Sequence, residues 1–203
     1  MAKNSNIYKT FIDLKTMKYP LFTSRGLTEQ LVKQNGLLID TSTCSSPYNM
    51  LSPFFVWDKV IPVPGMENSK SRTIEGIWQG LKIINSKVEK SLFDAKKIKK
   101  RRADPYGSCK FLFGNQEINY GEARKKIFKP SYEWMFRNLL PRDLKESLYI
   151  LAENDIQLYF FDVDDNPDIE NTSSSFSHSS LLVDIVNKEL EKRQECKTDW
   201  STK

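Results

Sequence analysis

A carboxylate, an amide and an ammonium stand at positions 75, 79 and 82, and no other part of the chain carries so sharp a chemical pattern. Between Ser71 and Asn85, the residues Ile74, Ile77, Trp78, Leu81 and Ile84 recur at i, i+3, i+4, i+7 and i+10. This spacing predicts a helix with one wide apolar face, and Thr73 can cap its start. Glu75, Gln79 and Lys82 follow one another at i, i+4 and i+7, so they form a row beside that face. Glu75 falls in the first turn, where the helix dipole favours a negative charge. With Trp78 alongside, such a row can position a sugar hydroxyl or a water and stabilise the charge that develops as a C–N bond breaks. The plainer reading is an exposed helix edge with a Glu–Lys pair worth about 0.2–0.5 kcal/mol.

Three other groups could carry chemistry. Residues 96–102, Lys-Lys-Ile-Lys-Lys-Arg-Arg, suit a diphosphate or a nucleic-acid backbone, since guanidinium forks match phosphate oxygens and binding releases counterions. A solvated basic loop is the plainer alternative, and the chain has no RNP, helix-turn-helix or zinc-finger pattern. The stretch from Asp162 to Asn166 resembles a calcium loop but fails as one: Pro167 takes the glycine position and Ser173 the bidentate glutamate position. Asp162 instead closes a strand, a frequent place for site carboxylates, with Asp164 or Asp168 nearby. His178, on a serine-rich turn before the last helix, reads either as a capping neighbour or as a site residue. Cys109 adjoins Lys110 but has no histidine beside it, so it makes a weak nucleophile candidate.

The elements that must position these groups are mostly helices. A helix is expected over Leu27 to Gln34, closed by Asn35-Gly36, then a buried strand at Leu37 to Asp40. Thr41 to Pro53 reads as a loop, and the prolines of Ile61 to Gly65 confine that piece to an edge strand or irregular chain. Asn119 and Glu122 have the spacing of a capping box that starts a second helix, which Pro130 is expected to break or kink. A third helix places Tyr132, Met135, Phe136 and Leu139 on one side and ends at Pro141. A fourth covers Arg142 to Ala152, Ile156 to Phe161 is a strand, and a long polar loop follows. The last helix runs from about Ser179 to Arg193 with Leu182, Ile185, Val186 and Leu190 inside. The expected fold is α+β, a mainly helical single domain with a few short strands. Residues 1–35 form an extension, 36–193 the core, and 194–203 a frayed tail.

Composition agrees with that reading. At 203 residues, 39% hydrophobic and 12% aromatic, the chain can bury one core, which excludes a disordered or collagen-like protein. No apolar stretch approaches the ~20 residues that span a bilayer, and no signal peptide is read, so no membrane partner is expected. Three isolated cysteines make a disulfide framework or zinc knuckle a poor fit and favour a reducing cytoplasm. A single histidine excludes a His-rich metal site, and no cofactor is called for. The net charge of +5 is divided unevenly. Residues 86–102 hold eight Lys/Arg against Glu89 and Asp94, and residues 143–170 hold nine acids against Lys145. Such a chain either binds a phosphate-bearing partner at its basic end and a cation or basic protein at its acidic end, or is self-complementary.

The segment Leu51 to Lys82, LSPFFVWDKVIPVPGMENSKSRTIEGIWQGLK, resembles the signature of the NADAR (YbiA-like) superfamily, in which a short strand pair leads into a helix with the pattern E-x-x-x-Q-x-x-K. Glu75, Gln79 and Lys82 match it. More loosely, Arg101 or Arg102 stands where the family has a basic residue, INYGEARKKIF is similar to its middle helix, and LYFFDVDD to its late strand. A divergent branch is closer, sharing Ser71 to Lys82, the helix Tyr120 to Lys125 with Arg124, and the element Ser177 to Ser179. The chain departs from the family after the late strand, where NPDIENTSSSFSHSS replaces a Trp-Gly element.

The resemblance covers about residues 50–190. It implies a NADAR-like fold and N-glycosidic hydrolysis of ADP-ribose conjugates, including ADP-ribosylated guanine in DNA, with no metal. Glu75, Gln79 and Lys82 would be catalytic. Trp78, Arg101, Arg102, Arg124, Asp162 and His178 would hold the substrate, with Arg101 and Arg102 on phosphates. The small basic chain also resembles accessory proteins of T-even-type phages that counter a host ADP-ribosyltransferase toxin. This makes an inactive binder or inhibitor of such a toxin the rival, and a basic nucleic-acid-associated protein the third reading.

Overall fold

The run Gln157-Leu-Tyr-Phe-Phe161 lacks polar alternation, the pattern of a strand covered on both faces, and it forms the centre of the main sheet. The computed structural model describes residues 20–23, 36–42, 47–103, 107–154 and 156–200, the last four of these by their backbone alone. In chain order the strands are β1 (Leu21–Thr23), β2 (Gly36–Asp40), β3 (Ile61–Pro62), β4 (Lys70–Ser71), β5 (Lys82–Ile83), β6 (Lys110–Phe113), β7 (Gln116–Ile118) and β8 (Gln157–Phe161). Four helices accompany them: α1 (Ile74–Leu81), α2 over 120–138, α3 (Arg142–Glu153) and α4 (His178–Trp200). Strand β8 pairs in parallel with β1 on one side and β2 on the other. Strands β5, β6 and β7 form an antiparallel sheet, and β3 and β4 a two-stranded ribbon. The fold is α+β.

One apolar cluster joins these pieces. Helix α4 packs Leu181, Leu182, Ile185, Val186 and Leu190 inward, and β8, α1 and α2 supply Phe160, Ile77, Leu81, Tyr132 and Phe136. The hydroxyl of Tyr132 donates to the carbonyl of Leu51 in the short 3-10 turn Tyr48–Leu51, tying α2 to the loop before α1. Among the described residues no helix is long and apolar enough to cross a membrane.

Several expectations change. The helix expected over Leu27 to Gln34 lies outside the described residues. Residues 21–23, within the stretch read as an extension, form β1 against β8, so the main sheet draws on chain before residue 36. Strand β2 forms as expected, but only Ile39 in it is fully buried, because β2 lies at the sheet edge. Helix α1 ends at Leu81. Lys82 takes an extended conformation and opens β5 against Phe111, so sheet pairing overrides a helical pattern that runs on to Ile84.

Pro130 does not break its helix. The N–H of Lys129 bonds the carbonyl of Arg124 in a π turn spanning Arg124–Phe128, so the hydrogen-bond ladder has already shifted where proline arrives. Pro130 then sits in the first turn of the α-helical piece Lys129–Asn138, where its missing N–H leaves little unsatisfied. Helix α4 continues to Trp200, past the expected end at Arg193, since Gln194 to Thr198 contains neither Gly nor Pro to stop it. Finally, no ion pair among the described residues joins the basic run 86–102 to the acidic stretch 143–170. Glu146 and Glu153 pair with Arg193, and Glu170 pairs with Lys125. The two stretches meet instead across a cavity, where the charge of Lys100 acts on Asp164.

Candidate functional site

Helix α1 is held with little freedom. Thr73 Oγ1 accepts the N–H of Gly76 at 2.8 Å, which satisfies one donor of the first turn. Two glycines let the helix lie against the 3-10 turn Lys90–Phe93: a Cβ on Gly76 would come 2.6 Å from the Leu92 carbonyl oxygen, and one on Gly80 would come 2.5 Å from the Phe93 ring. All eight residues of α1 are buried. The row of polar side chains is thus not an exposed helix edge, and the weak surface pair is excluded.

Within that burial the row is a hydrogen-bonded chain. Gln79 Nε2 donates to Glu75 Oε1 at 2.8 Å, and Lys82 Nζ donates to Gln79 Oε1 at 3.0 Å. Lys82 Nζ also donates to the Arg101 carbonyl at 2.8 Å, and the Arg101 N–H donates to Gln79 Oε1 at 2.8 Å. Both ends of the Gln79 amide are occupied, so it acts as a rigid spacer. Burial pushes the Glu75 carboxyl upward, against the Gln79 hydrogen bond and the charges of Lys100, Lys82 and His178. Burial likewise pushes the Lys82 ammonium down, against the attraction of Cys109 and Glu75.

This chain lies along the wall of a cavity of about 730 Å³, a size typical of small-molecule sites. All nine residues singled out as site candidates line it: Glu75, Trp78, Gln79, Lys82, Arg101, Arg102, Arg124, Asp162 and His178. They come from α1, β5, the basic run, the π turn, the end of β8 and the start of α4. Aromatic residues form much of the remaining wall. Trp78 lies tilted against Phe111 with centroids 4.2 Å apart and meets Tyr120 and Phe128 edge-on, so it packs the core and borders the cavity at once.

The same cavity is lined by a second polar group. Asp162 Oδ2 accepts from Ser177 Oγ at 3.0 Å, from the His178 N–H at 3.1 Å, and lies 2.7 Å from His178 Nδ1. Burial works to raise the Asp162 carboxyl, but the hydrogen bond and charge of His178 and the Ser177 hydroxyl outweigh it, and the net direction is down. His178 Nε2 lies 2.7 Å from Thr41 Oγ1, whose own neighbour is Ser179 Oγ at 2.7 Å. Asp164, also on the cavity wall, is raised by burial and by the charge of Asp162. Asp168 does not line the cavity. No group of three or more His, Cys, Asp or Glu placed to hold a metal occurs among the described residues.

The arginines differ in what they leave open. Arg101 Nη1 donates to the carbonyls of Gln79 and Lys82, both at 2.7 Å, and Nη2 donates to that of Lys87 at 3.0 Å. Its guanidinium thus closes the C-terminal end of α1. Arg124, fully buried, donates to the carbonyls of Ile169, Asn171 and Ser174 and lies 4.8 Å from the Tyr120 ring centroid, fastening the polar loop to α2. Arg102 and Lys100 are exposed on the cavity rim. A phosphate would therefore meet Arg102 and Lys100 rather than the guanidinium of Arg101.

Sequence reasoning passed over Tyr120, Phe128, Phe176, Phe54 and Thr41. The aromatic residues carry no signal beyond apolar periodicity, and Thr41 lies in a Ser/Thr/Pro-rich stretch where nothing distinguishes it.

Fold and cavity together define a small α+β protein with a cavity whose wall carries both a buried carboxylate–amide–ammonium chain and an aspartate–histidine pair. The chain belongs to a family of unknown function, DUF6939, whose profile matches residues 24–182. No curated protein and no solved structure matches it.

Proposed function

We propose that the protein is a NADAR-like N-glycosidic hydrolase acting on ADP-ribose conjugates, such as ADP-ribosylated guanine in DNA, in a counter-defence role. The observation that carries this reading is the buried Glu75–Gln79–Lys82 chain on the wall of a nucleotide-sized, aromatic-lined cavity. Glu75, with its carboxyl shifted upward, orients a water and takes its proton as the water oxygen bonds to the anomeric carbon. The C–N bond breaks, its electron pair leaves with the base, and the base takes a proton from solvent. The carboxylate also stabilises positive charge developing on the sugar. Lys82 steadies a ribose or phosphate oxygen, Gln79 fixes the distance between the two charges, and Arg102 and Lys100 meet the diphosphate at the rim.

The test is release of ADP-ribose from DNA modified on guanine, beside a Glu75→Gln control. Release that the control loses supports the reading; no release from any ADP-ribose conjugate overturns it. One observation favours the rival, a binder or inhibitor of a host ADP-ribosyltransferase without turnover: Gln79 and Lys82 are already bonded to protein partners. In that case Glu75→Gln leaves binding and inhibition unchanged.

A further inference from the structure

The basic run reads as either a phosphate site or a solvated loop, and its surroundings separate the two. Lys96, Lys97, Lys99, Lys100 and Arg102 are all exposed, and none pairs with a carboxylate among the described residues. The segment forms no helix or strand, and it runs directly into the cavity wall at Lys100–Arg102. Beside it, also on the cavity rim, Phe54 is 40% exposed and has the Lys100 ammonium 5.6 Å from its ring centroid. An exposed aromatic face next to a row of exposed cations that make no ion pair among the described residues is the combination that holds single strands: phosphates follow the cations while a base stacks on the ring. A duplex keeps its bases inside the stack and offers no ring to Phe54. An anionic membrane would need a broad apolar face, and among the described large hydrophobic residues only Phe54 and Val163 stand exposed on the rim.

We infer that the 96–102 run and Phe54 form a docking surface for single-stranded nucleic acid, which delivers one nucleotide from the strand into the cavity. The inference rests on the proposed reading for what enters the cavity, and not for what binds outside it. Fluorescence anisotropy with an unmodified 20-nucleotide single strand, its duplex, and phosphatidylserine vesicles, across a salt series, tests it. The single strand should bind tightest, with affinity falling steeply as salt rises, by a log–log slope of about −0.7 per phosphate contacted. Replacing Lys96, Lys97 and Lys99 together by alanine should weaken binding at least tenfold and flatten the slope by about 2. Phe54→Ala should weaken single-strand binding at least fivefold with the slope unchanged. Equal affinity for duplex and single strand, indifference to Phe54→Ala, preference for vesicles, or no binding at low salt would each overturn the surface. Strand binding without any hydrolysis would instead sink the proposed activity and leave the surface standing. Hydrolysis of a free mononucleotide conjugate without strand binding would do the reverse.

Discussion

Asp162 Oδ2 holds His178 at two points, the ring Nδ1 at 2.7 Å and the backbone N–H at 3.1 Å, so one carboxylate both orients the imidazole and caps the start of α4. The contact joins the end of β8 to the last helix at the cavity wall, and its partners are nearly all fixed by burial.

Removing that charge should be felt in stability. Because the Asp162 carboxyl is held below its ordinary 3.8, the unfolded chain takes up the proton first. Its contribution is therefore complete above about pH 4 and is lost as pH falls through the lower, folded value. Asp162→Asn should cost about 1–3 kcal/mol at neutral pH and lose part of the acid limb of the stability curve. Urea unfolding between pH 2 and 7 checks both, and equal stability of variant and wild type at pH 7 would refute the assignment.

Glu75 carries the opposite sign. Burial raises its carboxyl above the ordinary 4.5, so its effect on stability is favourable at low pH and is lost as pH rises through the folded value. Glu75→Gln keeps the acceptor for Gln79 and removes the buried charge. It should abolish turnover while raising neutral-pH stability by up to about 1 kcal/mol. If Glu75 is the base, the rate should fall toward acid with an apparent pKa above 4.5. Paired thermal unfolding and pH–rate profiles are the measurement, and a variant less stable than wild type at pH 7 contradicts the account.

Gly76→Ala should lower stability by about 1–3 kcal/mol, since its Cβ would press on a backbone oxygen that cannot rotate away. Ala is the better helix former, so propensity alone predicts the reverse sign. Chemical denaturation of the single variant decides between the two.

Arg101→Lys preserves charge but not the fork that reaches three carbonyls at 2.7, 2.7 and 3.0 Å. A loss of about 1–2 kcal/mol is expected, with faster amide exchange around the 79–82 junction. A variant that instead keeps its stability but loses phosphate affinity would return Arg101 to substrate binding.

What could be read from the sequence was what neighbouring residues determine among themselves. Thr73 and Asn119 announce their helices because capping is satisfied within three residues, and 157–161 announces its strand by composition. The Glu75, Gln79 and Lys82 spacing was visible, yet their burial was not, because it depends on contacts with the 90–93 turn and on β6. The end of α1 is likewise set from a distance: Lys82 leaves the helix to pair with Phe111, 29 positions away in the chain. The meeting of Thr41, Asp162 and His178 spans 137 positions, and no local pattern encodes it.

The π turn gives helix α2 two angular phases. One more residue than an α-turn would hold is accommodated before Lys129, so the side chains before and after it are offset by about 100°, the angle of a single helical residue. Over the twelve residues from Tyr120 to Tyr132 an unbroken helix would set the two side chains about 120° apart, and the shift brings them back to about 20°, so both stay on the buried side of α2. Chain length here is consequently under tighter constraint than side-chain identity. Deleting one residue from 124–128 would leave a more regular helix, yet it would rotate one half out of step with its surroundings. Few substitutions could do comparable harm while improving the local backbone.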